Sequence, residues 1–235
     1  MSIPRTFLSA GWYNLLLFNY SVALEVLQPF LPEGCEFDLY NGTPHLSVVA
    51  FQFHHTKVFG IKWPGLTHFP EVNLRFYVRH KGERGVCFIR EFVPSQIISG
   101  VAQLLYNEPY KTAIMTDVVE SSDTEITAAY SVRDEDQTIY MYAKADKKPY
   151  VPGNDTLEHH FKEHELGVGQ SRSGKTQTYR VHHPVWHVYP VVDYKIELHA
   201  EIYGEDFSFL STQKPDSVVF AEGSQIKVYH KQKQS

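Results

Sequence analysis

The chain has 235 residues, of which 43% are hydrophobic and 21% charged, so it carries enough apolar side chain to bury a core and lacks the bias of a disordered or fibrous protein. Its formal net charge of −5 gives no general attraction to nucleic acid or to anionic lipid. No apolar run approaches the length of a membrane span, and Met-Ser-Ile-Pro-Arg at the start lacks a signal pattern, so a cytoplasmic location is expected.

Fifteen Tyr and fifteen Phe tilt the expectation towards β structure. Phe7 to Tyr20 reads as a buried strand, and Ser21 is placed to cap a short helix over Val22 to Phe30. Cys35 to Tyr40 and His45 to His54 read as two strands, joined through Asn41-Gly42, a strong hairpin signal. The two cysteines, Cys35 and Cys87, do not suggest a disulfide framework.

After a loop rich in Gly and Pro (Gly60 to Pro70) comes Glu-Val-Asn-Leu-Arg-Phe-Tyr-Val, residues 71–78. Alternation puts Glu71, Asn73, Arg75 and Tyr77 on one face of this strand and Val72, Leu74, Phe76 and Val78 on the other. The polar face is either solvated or the lining of a pocket. Glu71 and Arg75 are correspondingly either site residues or a structural ion pair.

Lys81 to Gly85 turns the chain into a strand over Val86 to Phe92. Pro94-Ser95 starts a helix with an apolar stripe of Ile97, Ile98, Val101, Leu104 and Leu105. Strands are expected near 112–119, 124–133 and 137–145. A capping box at Asp155 to Glu158 opens a helix ending near Gly167. Further strands are expected near 168–172, 175–182, 217–221 and 225–230. Lys227 to Lys233 reads as a frayed, solvated tail.

Three motifs need weighing. Gly169 to Thr176 matches the phosphate-loop pattern, yet a helix precedes it and Thr176 to Val181 alternates like a strand, so no nucleotide site is expected. His160-Phe161-Lys162-Glu163-His164 matches an inverted zinc-protease pattern, but no third ligand is evident. That segment reads as a solvated charged face, and neither a metal nor any other cofactor is expected. His182 to His187 breaks at Pro184, with His183 and Trp186 either packed together or facing a pocket.

The chain from 5 to 230 resembles the uncharacterised YqjF-like family, grouped with acetoacetate decarboxylase-like proteins. The matching stretches are Phe7 to Trp12, Leu27 to Gly34, Pro70 to Val78, Gly85 to Phe88, Glu108 to Lys111 and His182 to Trp186. The resemblance implies one mostly β domain over 1–235 with short helices, an antiparallel cone-shaped barrel enclosing a pocket. It also implies a match between Glu71 and the acidic residue of the decarboxylase pocket. Those decarboxylases use two adjacent lysines after a Pro, one of which forms a Schiff base with a β-keto acid. Here Pro109 is followed by Tyr110 at the Schiff-base position and by Lys111.

Glu71, Tyr110 and Lys111 are therefore the expected catalytic residues, and Arg75, Asn73, Tyr77, His183 and Trp186 the expected ligand contacts. The expected partner is a small anionic molecule rather than nucleic acid or membrane, and the aromatic content is compatible with homo-oligomers. Two readings stand: a pocket that binds or transforms a small carboxylate or carbonyl metabolite, and a non-enzymatic binding or interaction module on a barrel that lost its chemistry.

Overall fold

The computed structural model describes residues 6–100, 109–171 and 173–232. The strands are β1 (Thr6–Ser21), β2 (Cys35–Phe37), β3 (His45–Val58), β4 (Phe69–His80), β5 (Glu83–Val93), β6 (Tyr110–Thr112) and β7 (Ile114–Ser121). They continue with β8 (Glu125–Asp134), β9 (Gln137–Asp146), β10 (Leu166–Gln170), β11 (Thr176–His182), β12 (Val188–Tyr189), β13 (Val191–Leu198) and β14 (Ser217–Gln232). Three short α-helices are described: α1 (Leu24–Leu27), α2 (96–100) and α3 (Leu157–Lys162). The expected stripe positions Val101, Leu104 and Leu105 lie outside the described residues.

The larger sheet follows the order β4-β3-β1-β14-β11-β10-β5, and β5 then pairs with β4, so the sheet closes on itself. Most pairings are antiparallel, but β5 runs parallel to both β10 and β6. A second sheet, β13-β9-β8-β7, packs on the outside of this ring.

Strand alternation divides the core in two. Leu16, Phe18 and Tyr20 of β1 and Val72, Leu74, Phe76 and Val78 of β4 face Ile126, Ala128, Tyr130, Met141 and Ala143 of the second sheet. Leu15 and Leu17 of β1, Val49, Phe51 and Phe53 of β3, and Val219 and Ala221 of β14 point into the ring. Burying two such layers supplies the main favourable term in folding. It also leaves the polar face of β4 directed inward.

α3 plugs one end of the ring. Thr156 caps it by accepting from the His159 amide, and Phe161 inserts against Tyr77 and His45, with ring centroids 5.0 and 5.1 Å away. The helix is held by a buried Asp38, bonded to Arg79 and Arg84 at 2.8 and 2.5 Å, while Arg84 also donates to the His160 carbonyl at 2.9 Å. Beneath it Asn19, Ser47 and Tyr77 form a closed polar chain, Ser47 lying 2.5 Å from both its partners.

Several local expectations change. Ser21 ends β1 and caps nothing, because its amide is taken by Asp216 and the helix begins after Ala23. Asn41 and Gly42 do form a left-handed two-residue turn, with φ of 50° and 80°, but it closes only the Tyr40–Thr43 bridge. β2 pairs with β4 instead of β3. α3 stops at Lys162; residues 163–165 are irregular, and Leu166 and Gly167, expected at the end of the helix, begin β10. The segment that matches a phosphate loop is a strand, a turn and a strand, with β10 and β11 paired from Leu166–Arg180 to Gln170–Thr176.

The two final strands are one. β14 runs through Gly223, whose φ of +84° kinks it without ending it; a Cβ there would lie 1.9 Å from the Trp12 carbonyl oxygen. The supposed tail from Lys227 is part of this strand as far as Gln232, with Lys227 opposite Ser9 and His182.

Candidate functional site

The other half of the ring holds a cavity of about 140 Å³. β4 enters it at Phe69 and supplies Glu71, Asn73 and Arg75 to its wall. The next residue on that face, Tyr77, ends it. Tyr77 is 1% exposed and its hydroxyl is bonded to Ser47 at 2.5 Å and to the Phe161 carbonyl at 3.4 Å, so it belongs to the plug and does not line the cavity.

Glu71 is 3% exposed. Its Oε1 accepts from the Asn73 amide at 3.1 Å and its Oε2 accepts from the Tyr110 hydroxyl at 3.1 Å. Glu91, 2% exposed, hydrogen-bonds to the same carboxyl. Burial disfavours the charged form and pushes Glu71 up to about 7, against the pull of these hydrogen bonds and of Arg75 in the opposite direction. The Tyr110 hydroxyl is held well above its usual value by burial and then by the two carboxyl groups, so it keeps the proton that it donates to Glu71.

Arg75 does not pair with Glu71. Four residues along a strand separate their backbones by about 13 Å. The Nη2 of Arg75 donates to the Phe161 carbonyl at 3.0 Å, and its buried Nε has no partner. The ion-pair reading of these two residues therefore lacks its contact.

Two members of the wall were not anticipated. Glu91 lies opposite Asn73 on β5 and beside Tyr110 on β6. It faces inward because β5 bulges: Leu74 pairs with Arg90 but Arg75 with Phe88, leaving Ile89 as the extra residue. Phe88 and Glu91, three apart, thereby share the cavity face. His164 follows α3, and both its ring nitrogens are buried without a partner. Burial, with Arg84 and Arg75 next in weight, holds it neutral well below the usual histidine value.

The segment around it is no solvated face, since Phe161 and Lys162 are fully buried and Lys162 pairs with Glu163. Among the described residues no group of side chains is arranged to hold a metal ion.

Lys111 lies elsewhere. It follows Tyr110 on β6, so alternation sends it to the opposite face, where it pairs with Asp134 at 2.5 Å with its side chain 45% exposed. Trp186 lines the cavity, whereas His183 sits behind it, stacked at 4.1 Å and bonded to the Pro184 carbonyl. The remaining wall is apolar and aromatic: Trp12, Phe51 and Phe53 from inside the ring, and Trp63 and Leu66 from the loop before β4.

The family profile of uncharacterised conserved proteins named DUF2071 matches residues 9–225. The chain belongs to the DUF2071 family. Every cavity residue named above falls within the span that the family profile matches. The chain is 24% identical over 176 residues to the uncharacterised protein YqjF of Bacillus subtilis (strain 168), covering 74% of this chain and 72% of that one.

Solved structures of similar fold include acetoacetate decarboxylase from Legionella pneumophila, with a TM-score of 0.66 and 15% identity over 100% of this chain and 92% of that one. The enduracididine biosynthesis enzyme MppR in complex with pyruvate gives 0.66 at 12% identity, over 99% and 91%. An acetoacetate decarboxylase-like enzyme from Sphingomonas wittichii RW1 gives 0.64 at 13%, over 98% and 95%. At these identities the likeness is one of fold alone: this DUF2071 chain is mostly β, with a fold like that of acetoacetate decarboxylase.

Proposed function

We propose that this protein takes a small carboxylate or carbonyl compound into the ring and uses Glu71 as an acid–base group upon it. The observation that carries this reading is the Glu71 carboxyl itself, on the cavity wall, bonded by Tyr110 and Asn73 and raised by burial to about 7. A group that titrates near neutral pH is present in both forms and transfers protons in either direction. Arg75 offers an N–H to an anionic oxygen, and a guanidinium matches a carboxylate in shape and charge.

The reaction class this supports is proton exchange next to a carbonyl. Ionised Glu71 takes a proton from the carbon beside a ketone; the electron pair moves onto the carbonyl oxygen as an enolate; the protonated Glu71 then returns a proton. Imine chemistry is not supported, because no lysine lines the cavity among the described residues and Lys111 is tied up on the surface.

The same lack of a lysine favours the second reading, a binding module without turnover. Incubation with oxo acids in heavy water separates the two. Incorporation of deuterium beside the carbonyl, lost in Glu71→Gln, is the expected result. Saturable binding with no exchange above the uncatalysed rate would leave the binding module standing.

A further inference from the structure

The cavity has two unlike walls. On one side β4, β5 and β6 bring together Glu71, Asn73, Arg75, Glu91 and Tyr110, with His164 beside them. Adjoining them, with Phe51 paired directly to Glu71 and Phe69 two residues before it on β4, are the rings of Trp12, Phe51, Phe53, Phe69 and Trp186, in contact with one another: Trp12 lies 5.1 Å from Phe51 and 6.5 Å from Trp186, and Phe53 stacks on Phe69 at 4.5 Å.

A two- or three-carbon acid held by the polar wall leaves those rings facing nothing but water. A volume of about 140 Å³ is close to that of cavities known to take a benzene ring. Partnerless polar atoms gather on the polar side, at the Asn73 Oδ1, the Arg75 Nε and both nitrogens of His164, all buried and all on lining side chains, while the Trp12 Nε1 and the Thr56 Oγ1 are isolated ones elsewhere on the lining. Buried donors and acceptors without partners are costly, so their concentration on one wall marks where a polar head is received.

We propose that the ligand is an acid with an apolar body, a carboxylate, hydroxy acid or oxo acid carrying an aromatic ring or a branched hydrocarbon chain. This rests on the reading of the Glu71–Arg75 wall as a ligand site and names the substrate class for it. The Arg75 Nε donates to the carboxylate, and neutral His164 supplies one N–H donor, or through its other ring nitrogen one acceptor, to a neighbouring ligand oxygen. The Asn73 Oδ1 accepts from a ligand hydroxyl, which a hydroxy acid or the enol form of an oxo acid provides. The body of the ligand lies among the rings.

The chain's three tryptophans, Trp12, Trp63 and Trp186, all line the cavity, so intrinsic fluorescence reports occupancy directly. Matched pairs of acids share a head and differ in body: benzoate and acetate, mandelate and lactate, α-ketoisocaproate and pyruvate. The larger member of each pair is expected to bind at least about tenfold more tightly, the effect of burying one ring or branched chain. Benzyl alcohol, which has the body without the acid, should bind about tenfold more weakly than benzoate. Arg75→Lys, which keeps the charge but loses the fork, should weaken the acids and leave benzyl alcohol unchanged.

Equal affinity within the pairs overturns the apolar-body inference and leaves the polar site intact. Benzyl alcohol binding as well as benzoate, with Arg75→Lys silent for both, overturns the acid-reading wall and with it the site. If no acid of either size changes the emission or the melting temperature, both conclusions fall.

Discussion

The proton on Glu71 is governed by a contest among its neighbours. Burial raises its affinity for the proton, while the hydrogen bonds from Asn73 and Tyr110 and the charge of Arg75 lower it. Burial is the largest of these, which is why the group ends near neutrality instead of in the usual carboxylate range. Removing a donor must therefore push it further. In Tyr110→Phe the Oε2 loses its hydroxyl partner, and a hydrogen bond to a charged group is worth about 1.5–3 kcal/mol. The Glu71 titration should move up by roughly one to two pH units, followed by carbon NMR of the side-chain carboxyl. An unchanged or lowered midpoint would contradict the contact. Lys111→Ala is the contrasting case. An exposed ion pair contributes about 0–1 kcal/mol, so this variant should match the parent in melting temperature and ligand response. A lost ligand response would return Lys111 to the site.

At the scale of elements, the site depends on two irregularities. The first is the β5 bulge at Ile89, which brings Glu91 to the cavity face. Strict alternation from Val86 and Phe88 assigns Glu91 to the outside, so the sequence pattern hides the residue that bonds to Glu71. The polar face of β4 was legible because that strand keeps its period, and so were the opposite fates of Tyr110 and Lys111 once both lie on one strand. What alternation alone could not decide was whether the β4 face meets water or a cavity, since that depends on pairing between β4 and β5 that closes the ring. The second irregularity is the α3 plug. Its His, Lys and Glu residues look solvated as a string, yet the helix is anchored by Phe161 in the inner core and latched by Asp38 through Arg84. Asp38→Ala leaves two arginines without their shared acceptor. Because Asp38 itself is almost wholly buried, the loss should be about 3 kcal/mol by urea denaturation. A loss under about 0.5 kcal/mol, the ordinary surface value, would show that the latch does not hold the plug.

For the whole molecule, the site and the plug impose opposing demands on pH. Glu71 binds its proton more tightly folded than unfolded, because its value rises from 4.5 to about 7. Its contribution to stability is full below 4.5 and is lost as pH rises through 7, to a total of about 3 kcal/mol. His160 and His164 behave in the reverse sense. Burial, with Arg84 next, lowers His160 to about 4 and holds His164 lower than usual, so both bind protons more readily unfolded. The His160 contribution is full above 6.5 and is lost as pH falls through about 4, and the His164 contribution is likewise lost towards acid pH. Between pH 4.5 and 6.5 the two slopes oppose each other, and the parent protein should show a shallow stability profile there. Glu71→Gln removes one side of the balance. Its stability should fall monotonically from pH 6.5 to 4, more steeply than the parent's, and should stay flat from 6.5 to 8 where the parent declines. Chemical denaturation at half-unit pH steps reads both limbs. A variant whose profile parallels the parent's throughout would mean that Glu71 is ionised across the range, and the acid–base reading of the cavity would lose its physical basis.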